Sequence, residues 1–330
     1  MAVRVGILGT GFMGTGHGRI LKRDPRVELR AVYDIDAARC RAAAAEFGCR
    51  AAESEAQLFE LVDAVYIVIP NTLHATAARR ALAAGKHIFC EKPFATSLED
   101  AHGIRDIALK AKTVFQVGHN RRFAPVYRAV KEWLTRDALR PTLAHFKMNR
   151  GELASPPWVG DTARTGGYLY ETPLHLLDLA RWLFGEVAEM QALGAQHVYS
   201  EPDNLSLLLR FESGLSLTFV SCAHATWAFP FERVEVFGRH FTIETAEMER
   251  VSLTRGLGEA TVTQDFHGLK TEDRWGYTAI DANFISAVLG EEAPAVTVED
   301  GYRAVELVDR CYRLVRGPEA SGRPANPSSA

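Results

Sequence analysis

The first third of the chain alternates short apolar runs with longer amphipathic segments. The apolar runs predict five strands, at residues 3–8, 27–33, 64–69, 87–90 and 114–117, and the segments between them predict helices at 36–47, 76–84 and 98–111. Ser97, followed by Asp100, marks a capped helix start, and Gly85 follows the helix that ends at residue 84. Short apolar strands that alternate with helices predict right-handed βαβ units and a parallel sheet covered on both faces.

The pattern changes after about Phe123. Apolar residues recur at every second position in 205–211 and again in 215–219, with a Ser-Gly turn between them, and residues 234–244 repeat this pattern. Such pairs predict antiparallel hairpins, so the second part is predicted to contain an antiparallel sheet, with a terminal helix at 299–316. We therefore predict two domains, at residues 1–122 and 123–317. The Pro-, Ser- and Gly-rich tail, 318–330, is expected to be disordered.

Composition narrows the class of protein. The chain has 330 residues, of which 47% are hydrophobic and 24% charged, and its formal net charge is −3. This apolar content argues against a disordered chain, and the charge argues against a dedicated nucleic-acid binder. The five cysteines are scattered and form no CxxC pair, which fits a reducing compartment. With no signal peptide and no apolar stretch long enough to span a membrane, we expect a cytoplasmic protein.

A glycine-rich turn follows the first predicted strand. Residues 9–14 read GTGFMG, which is the GxGxxG pattern in its required place between a strand and a helix. Gly9 permits a tight turn, Gly11 permits close approach of a pyrophosphate, and Gly14 permits close packing of helix and strand. The helix N-terminus then offers unpaired N–H groups to the anion. The alternative is a purely structural turn.

Asp34 follows the second predicted strand, 20 residues after Gly14. An acid at this position accepts hydrogen bonds from ribose hydroxyls and repels a 2′-phosphate, which favours NAD over NADP. Arg39 and Arg41 lie nearby and could accommodate that phosphate. Their alternative interpretation is as the solvated face of a helix.

Lys92 lies in a Glu-Lys-Pro turn after the fourth predicted strand. Ligands of open α/β sheets bind outside the carboxyl ends of the strands, so the ammonium group is placed to face a ligand. It could orient a substrate hydroxyl and stabilise the alkoxide formed from it. The alternative is an ordinary surface lysine in a turn.

Glu171, His175 and Asp178 have the spacing that places three residues on one helix face. Their neighbours are mostly apolar, and a buried polar stripe is costly unless its groups are paired or serve a site. A histidine suits general-base catalysis near neutral pH, and a neighbouring carboxylate can orient it. The alternatives are a core histidine, a polar seam between helices, or metal ligands. No further His or Cys residues at zinc-like spacing complete a ligand set, so no metal is predicted.

Taken together, these segments resemble the glucose–fructose oxidoreductase, inositol dehydrogenase and rhizopine-catabolism oxidoreductase (Gfo/Idh/MocA) family. The resemblance rests on GILGTGFMGTGH, on residues 69–95 with the Glu-Lys-Pro turn, on VGHNRRFAP and on residues 156–186, and it covers most of the chain. It implies an α/β N-terminal Rossmann domain, which is a doubly wound parallel sheet. It also implies an α+β C-terminal domain with a large, mostly antiparallel open sheet that mediates a homodimer or homotetramer.

The resemblance also implies roles for individual positions. His175 matches the catalytic base, and Lys92 would touch both the nicotinamide and the substrate. Glu171 stands where inositol dehydrogenases commonly have Asp, and its longer side chain reshapes the pocket. Trp158 would lie near the substrate, and Glu171 and Asp178 would orient His175 or hold neighbouring hydroxyls. The positions expected to contact the dinucleotide are Gly9, Gly11, Phe12, Met13, Gly14, Asp34, Ile69, Pro70, Asn71, His74, Glu91, Lys92 and Arg122.

The expected function is an NAD-dependent oxidoreductase that moves a hydride between the nicotinamide and a secondary hydroxyl or ketone. The substrate implied by the resemblance is a cyclic polyol, a sugar or a sugar derivative. Two alternatives remain open at this point. One is a glycosidase of the same family that uses NAD for a transient oxidation, and the other is a non-catalytic NAD-binding regulator.

Overall fold

The protein is described by a computed structural model, which covers residues 2–153, 160–227, 231–258 and 260–316. The predicted disordered tail, 318–330, lies outside the described residues. Among the described residues, no helix is both long enough and apolar enough to cross a membrane.

Six parallel strands form the first sheet. Their order is β3-β2-β1-β4-β5-β6, so the strand order reverses direction between β1 and β4. Ligands of such sheets bind at this reversal, outside the carboxyl ends of the strands. The strands are β1 (Val3–Leu8), β2 (Val27–Tyr33), β3 (Arg50–Ala51), β4 (Ala64–Ile67), β5 (His87–Cys90) and β6 (Phe115–Val117).

Five helices connect these strands. The Asp36 side chain accepts hydrogen bonds from two N–H groups in the first turn of the second helix. The Ser97 hydroxyl accepts one, from the Asp100 N–H, at the start of the fifth helix, as its sequence predicts. The helices are α1 (Phe12–Leu21), α2 (Ala37–Phe47), α3 (Glu55–Leu61), α4 (Asn71–Ala83) and α5 (Leu98–Ala108). The sequence pattern predicted the start of α4 five residues too late, because the first turn of this helix is polar. It did not predict β3 and α3, which are short.

Eight strands form the second sheet, in the order β14-β13-β12-β11-β7-β10-β9-β8. Among the described residues, its pairs are antiparallel except for β7 with β10. Alternate residues of β9 are buried, which confirms the sequence pattern. The strands are β7 (Pro141–Asn149), β8 (Val187–Ala195), β9 (Asn204–Phe211), β10 (Ser216–Cys222), β11 (Glu232–Gly238), β12 (Phe241–Ala246), β13 (Arg250–Arg255) and β14 (Ala260–Asp265).

In the described part of the chain, one 3₁₀ turn and one helix connect the two sheets, three helices connect the first two strands of the second sheet, and three follow its last strand. A 3₁₀ turn at Asn120–Phe123 follows β6, and the helices after it are α6 (Pro125–Arg136), α7 (Thr162–Thr165), α8 (Tyr168–Glu171), α9 (Leu174–Phe184), α10 (Thr271–Arg274), α11 (Tyr277–Val288) and α12 (Val298–Arg316). The chain returns to the first sheet at its end, where α11 packs on α1 and α12 packs on α5. A Cβ on Gly301 would lie 2.8 Å from the Val117 side chain, so glycine permits this close approach of α12.

The prediction of one helix carrying Glu171, His175 and Asp178 is wrong. Helix α8 ends at Glu171, and α9 begins at Leu174 after Pro173. Proline has no N–H to continue the hydrogen-bond ladder of α8, and its ring crowds the preceding turn. Glu171 therefore lies on a different helix from His175 and Asp178.

We predict that the inward face of β9 carries much of the stability of the second sheet. Leu207 is 1% exposed, and its neighbour Leu208 is 54% exposed on the outward face. Leu207→Ala should lower the free energy of unfolding by about 2–5 kcal/mol, because it leaves a cavity in the core. Leu257→Ala, at a leucine that is 86% exposed, is the control and should change it by less than about 0.5 kcal/mol. Urea denaturation measures both, and equal losses would contradict the assignment of the buried face.

Candidate functional site

The glycine-rich turn and the start of α1 form a cradle for an anion. Gly11 is the N-cap and provides no side-chain cap, so the N–H groups of the first helical turn have no partner within the helix. A Cβ on Gly9 would overlap the Val68 carbonyl, and one on Gly14 would overlap the Gly9 carbonyl. A Cβ on Gly11 would meet nothing within 4 Å. Open space above unpaired N–H groups fits the pyrophosphate of a dinucleotide.

Phe12 begins α1, and Asp34 binds the glycine-rich turn through Thr10. Phe12 is 90% exposed, and the Asp34 carboxylate accepts hydrogen bonds from the Thr10 N–H at 2.8 Å and the Thr10 hydroxyl at 3.0 Å. Burial alone would raise the pKa of Asp34. The hydrogen bonds from the N–H groups of Thr10 and Asp36 and from the Arg39 guanidinium outweigh this effect, so the pKa lies below its usual value. Arg39 lies on a solvated face of α2, with its side chain 56% exposed, and it pairs with Asp34 at 2.9 Å. The ionised carboxylate suits a ribose hydroxyl.

The residues expected along the middle of the dinucleotide, after β4, bind protein groups. The Asn71 amide donates to the Thr165 carbonyl at 3.0 Å and to Glu171 Oε2 at 2.9 Å. His74 is buried, and its ring nitrogens lie 2.7 Å from the carbonyl oxygens of Ile69 and Pro93. Asn71 and His74 therefore fix the segments around the site, and His74 has no free ring nitrogen to offer a ligand.

Lys92 reaches from the end of β5 to the end of α8. Its Nζ donates to the Glu171 carbonyl oxygen at 2.9 Å and lies 3.7 Å from Glu171 Oε1. The Lys92 side chain is 11% exposed. The structure thus brings together Lys92 and Glu171, which the sequence analysis assigned to the same site from segments 79 residues apart.

The sequence analysis missed a buried ionic cluster that includes Glu91, the residue before Lys92 in the Glu-Lys-Pro turn. His17 Nδ1 lies 2.8 Å from Asp281, on α11, and His17 Nε2 lies 3.2 Å from Glu91. Burial lowers the pKa of His17, but the two carboxylates more than reverse this and raise it to about 10. The imidazolium therefore joins α1, β5 and α11. The sequence feature that could have indicated this cluster is a histidine at a buried position of α1, between Gly14 and Leu21.

Glu91 is consequently occupied by protein groups. Its second carboxylate oxygen accepts the Lys92 backbone N–H at 3.0 Å, and its side chain is buried. The structure therefore gives Glu91 contacts that position Lys92. Its predicted place beside the nicotinamide stays a prediction.

His175 lies in the first turn of α9. It is half-buried, and its Nδ1 has no hydrogen-bond partner among the described residues. Burial, followed by the charges of Arg121, Lys92 and the nearby His119, lowers the pKa of His175 well below its usual value. The neutral imidazole is therefore the stable form near neutral pH, and it can accept a proton from a substrate hydroxyl.

Asp178 does not orient His175. Its carboxylate accepts two hydrogen bonds from Arg122, at 2.8 and 2.6 Å, and Arg122 also donates to Asp300 at 3.0 Å. Asp178 does not contact His175 because its two carboxylate oxygens are bound by the buried guanidinium of Arg122, in the 3₁₀ turn. Three of the five N–H donors of Arg122 are used in this way, so the buried pair joins the 3₁₀ turn, α9 and α12. The predicted contact of Arg122 with the dinucleotide stays a prediction.

Two further expectations concern Trp158 and metals. Trp158 lies outside the described residues. Within the part of the chain that the structure describes, no group of three or more His, Cys, Asp or Glu residues is arranged to hold a metal ion.

Comparisons with known proteins point to one family across both sheets. Residues 3–119 match the family model described as an oxidoreductase family with an NAD-binding Rossmann fold, and residues 127–244 match the GFO/IDH/MocA C-terminal domain. An inositol 2-dehydrogenase of Saccharopolyspora erythraea is 30% identical over 93% of this chain and 91% of its own length. An inositol 2-dehydrogenase of Rhizobium meliloti is 28% identical over 96% of this chain and 97% of its own.

A solved structure supports the same relationship. A putative myo-inositol dehydrogenase from Sinorhizobium meliloti superposes with a TM-score of 0.81 at 27% identity, covering 96% of this chain and 98% of that one. The similarity therefore extends over the whole arrangement of both sheets.

We predict that Asp178 contributes to stability and not to the orientation of the base. Asp178→Asn should lower the free energy of unfolding by about 3–5 kcal/mol, because it breaks a buried ion pair and leaves Arg122 partly unpaired. Asp106→Asn, which breaks an exposed pair, should cost less than about 1 kcal/mol. Denaturant titration measures both. A stable Asp178→Asn protein whose pH profile of turnover is shifted would instead assign Asp178 to the base.

Proposed function

Since the chain belongs to the Gfo/Idh/MocA oxidoreductase family, we propose that it moves a hydride between NAD and a secondary hydroxyl or ketone of a cyclic polyol, sugar or sugar derivative. The observation that carries the proposal is the meeting of Lys92 and Glu171 outside the carboxyl end of β5, with Lys92 close enough to lower the pKa of His175. The inositol dehydrogenase relatives support a polyol as the substrate.

Lys92 positions and polarises the reacting oxygen. An ammonium has three N–H donors, and one of them is used on the Glu171 carbonyl. The remaining donors can bind the substrate oxygen and stabilise the negative charge that develops on it. The Glu171 carboxylate, anchored by Asn71, keeps the ammonium in place.

His175 takes the proton from the substrate hydroxyl. Its Nδ1 is enclosed, whereas its Nε2 is neither enclosed nor hydrogen-bonded among the described residues, so the neutral imidazole can accept this proton at Nε2. NAD supplies the hydride acceptor when bound, and the protein contributes binding, orientation and electrostatics. In the reverse direction the protonated imidazole returns the proton to the alkoxide.

We also propose that NAD is preferred over NADP. The ionised Asp34 suits two ribose hydroxyls and repels a 2′-phosphate. Arg39 is paired with Asp34 and is therefore not free for that phosphate. Supplying NADP in place of NAD in the turnover assay tests this, and equal kcat/KM values would contradict it.

The relatives favour a dehydrogenase over the two alternatives, because those reported above carry dehydrogenase names. An NAD-using glycosidase would release sugar without net NADH. A non-catalytic regulator would bind NAD without turning over any member of a broad polyol panel. The assay for NADH formation separates all three.

The hydride-transfer proposal predicts losses at two positions. Lys92→Ala and His175→Ala should each lower kcat by about 10²- to 10⁴-fold, because each removes a group that acts on the reacting oxygen. NADH formation with a panel of inositols, sugars and sugar acids measures turnover, and calorimetry should show NAD binding retained. Lys22→Ala is the matched control, because Lys22 Nζ also donates to a backbone carbonyl, Glu46, at 2.8 Å. Near-wild-type turnover in both site variants would contradict the proposed mechanism.

The lowered pKa of His175 predicts a pH profile. A base whose pKa lies below 6.5 is mostly unprotonated at pH 6.5 and above. Protonation of His175 should therefore not lower kcat/KM for oxidation above pH 6.5, and the decline that it causes should begin only below pH 6.5. The His175→Ala protein should lack this acid limb. An acid limb centred above pH 7 that disappears in His175→Ala would contradict the assignment.

We further propose a homodimer or homotetramer formed through the outward face of the second sheet. Leu143, Leu193 and Leu208 are exposed on this face. Light scattering should report a multiple of the chain mass, and Leu193→Glu with Leu208→Glu should reduce it by placing charge in an apolar contact. Leu257→Glu, at another exposed leucine, is the control. A monomer at micromolar concentration would contradict the proposal.

A further inference from the structure

A narrow cleft with room for about one water molecule, about 10 Å³, opens beside Glu171. Arg150, Thr165, Tyr168, Tyr199 and Glu201 line it together with Glu171. A space of this size holds about one water-sized group, so the cleft admits a single ligand atom, such as one carboxylate oxygen, and not a whole ligand. Because Lys92 binds the Glu171 carbonyl, the cleft lies next to the proposed reaction centre.

Arg150 is the unusual residue of this cleft. It follows β7 and is 3% exposed. Its Nε donates to the Thr172 hydroxyl at 2.7 Å, and its Nη1 donates to the Gly151 carbonyl at 3.0 Å and the Tyr199 hydroxyl at 3.2 Å. These partners are all neutral. Among the described residues, no carboxylate lies within 4.0 Å of its guanidinium.

A buried cation without an acidic partner lowers the stability of the fold. Two other buried arginines each have such a partner. Arg121 is paired with Glu232 at 3.0 Å, and Arg122 is paired with Asp178. Arg150 instead lies over the rings of Tyr168 and Tyr199, 5.1 and 5.7 Å from their centroids. These contacts fix the plane of the guanidinium and compensate its charge only partly. Its Nη2 has no hydrogen bond among the described residues, so this donor is available to a ligand in the cleft.

The two acids of the cleft do not neutralise Arg150. The Glu171 carboxylate is held by Asn71 and lies 3.7 Å from the Lys92 ammonium. Glu201 accepts hydrogen bonds from the Tyr168 N–H and the Tyr312 hydroxyl, and burial raises its pKa. The positive charge of Arg150 therefore remains for an external anion.

We propose that Arg150 binds a carboxylate on the substrate, so that the substrate is a sugar acid or an acidic polyol and not a neutral one. The inference rests on the proposed function, because it treats the cleft as part of the substrate site. Arg150 donates to Thr172 while Lys92 donates to the preceding residue, Glu171, so the two cations bind adjacent residues. A substrate can therefore place its carboxylate at Arg150 and its reacting hydroxyl at Lys92.

The charge of the cleft selects a carboxylate over a phosphate. A carboxylate carries one negative charge, which matches one unpaired guanidinium, whereas a phosphate ester carries about 1.5–2 at pH 7. The extra charge would lie near the carboxylate of Glu171, which lines the same cleft. A single free Nη2 also supplies fewer donors than the oxygens of a phosphate require.

The test compares binding to the NAD-loaded protein by calorimetry. The probes are six hexoses of different stereochemistry, their hexuronates and their 6-phosphates. At least one hexuronate should bind about 10- to 100-fold more tightly than its hexose, the range expected for a charge-assisted hydrogen bond. The proposal is overturned if no hexuronate binds more tightly than its hexose. It is also overturned if the 6-phosphates bind more tightly than the hexuronates.

Variants then assign the preference to Arg150. Arg150→Gln should remove the preference for the acid and leave affinity for the neutral sugar within about threefold, and Arg150→Lys should retain part of the preference because it retains the charge. Arg210→Gln, an exposed arginine on β9, is the matched control and should retain all of it. Unchanged NAD affinity shows that each variant is folded, and a preference that survives in folded Arg150→Gln overturns the proposal.

Binding and turnover give separate answers. If acids bind through Arg150 without forming NADH, the hydride-transfer proposal fails and the carboxylate site stands. If neutral polyols form NADH as efficiently as acids, the proposed function stands and the role of Arg150 fails. Should Arg150→Gln not fold, the comparison of hexoses with hexuronates in the wild-type protein still decides the substrate class.

Discussion

The hydrogen bond from Lys92 to the Glu171 carbonyl is the contact on which the arrangement of the site depends. A largely buried ammonium must have polar partners, since an unpaired buried charge costs several kcal/mol. Lys92 ends a strand of the first sheet, whereas Glu171 ends a short helix that precedes α9. Asn71, at the start of α4, binds the same glutamate. The proposed reaction centre therefore exists only where the two parts of the chain meet.

Around this contact, the buried charges fall into two groups. His17, Arg121 and Arg122 are each paired with carboxylates and join helices or turns of the two parts of the chain. Breaking such buried pairs is strongly destabilising, so they hold the frame. His175 and Arg150 lack such partners among the described residues. One is kept neutral and the other keeps an uncompensated charge, which is why we assign both to ligand chemistry.

Strong local patterns predicted much of the fold. The apolar runs of the first sheet and the alternation in β9 and β10 matched the strands closely, since each pattern reflects burial of one face or both. Short elements such as β3 and α3 carry too few residues to show a period. The prediction that Glu171 and Asp178 share one helix face was wrong, because Pro173 breaks the hydrogen-bond ladder between them and their spacing does not show this break. The partners of Asp178 and His17 lie far away in the sequence, so spacing could not reveal them.

The central claim is that Lys92 and His175 act together on one substrate oxygen beside the nicotinamide of NAD. A crystal structure of the NAD complex tests it most directly. The account predicts that the nicotinamide ring lies outside the carboxyl end of β5, with Lys92 Nζ and the His175 ring facing one shared space next to its reactive carbon, and with the Lys92–Glu171 hydrogen bond retained. A nicotinamide separated from Lys92 and His175 by protein atoms, or bound away from the strand ends, would contradict it.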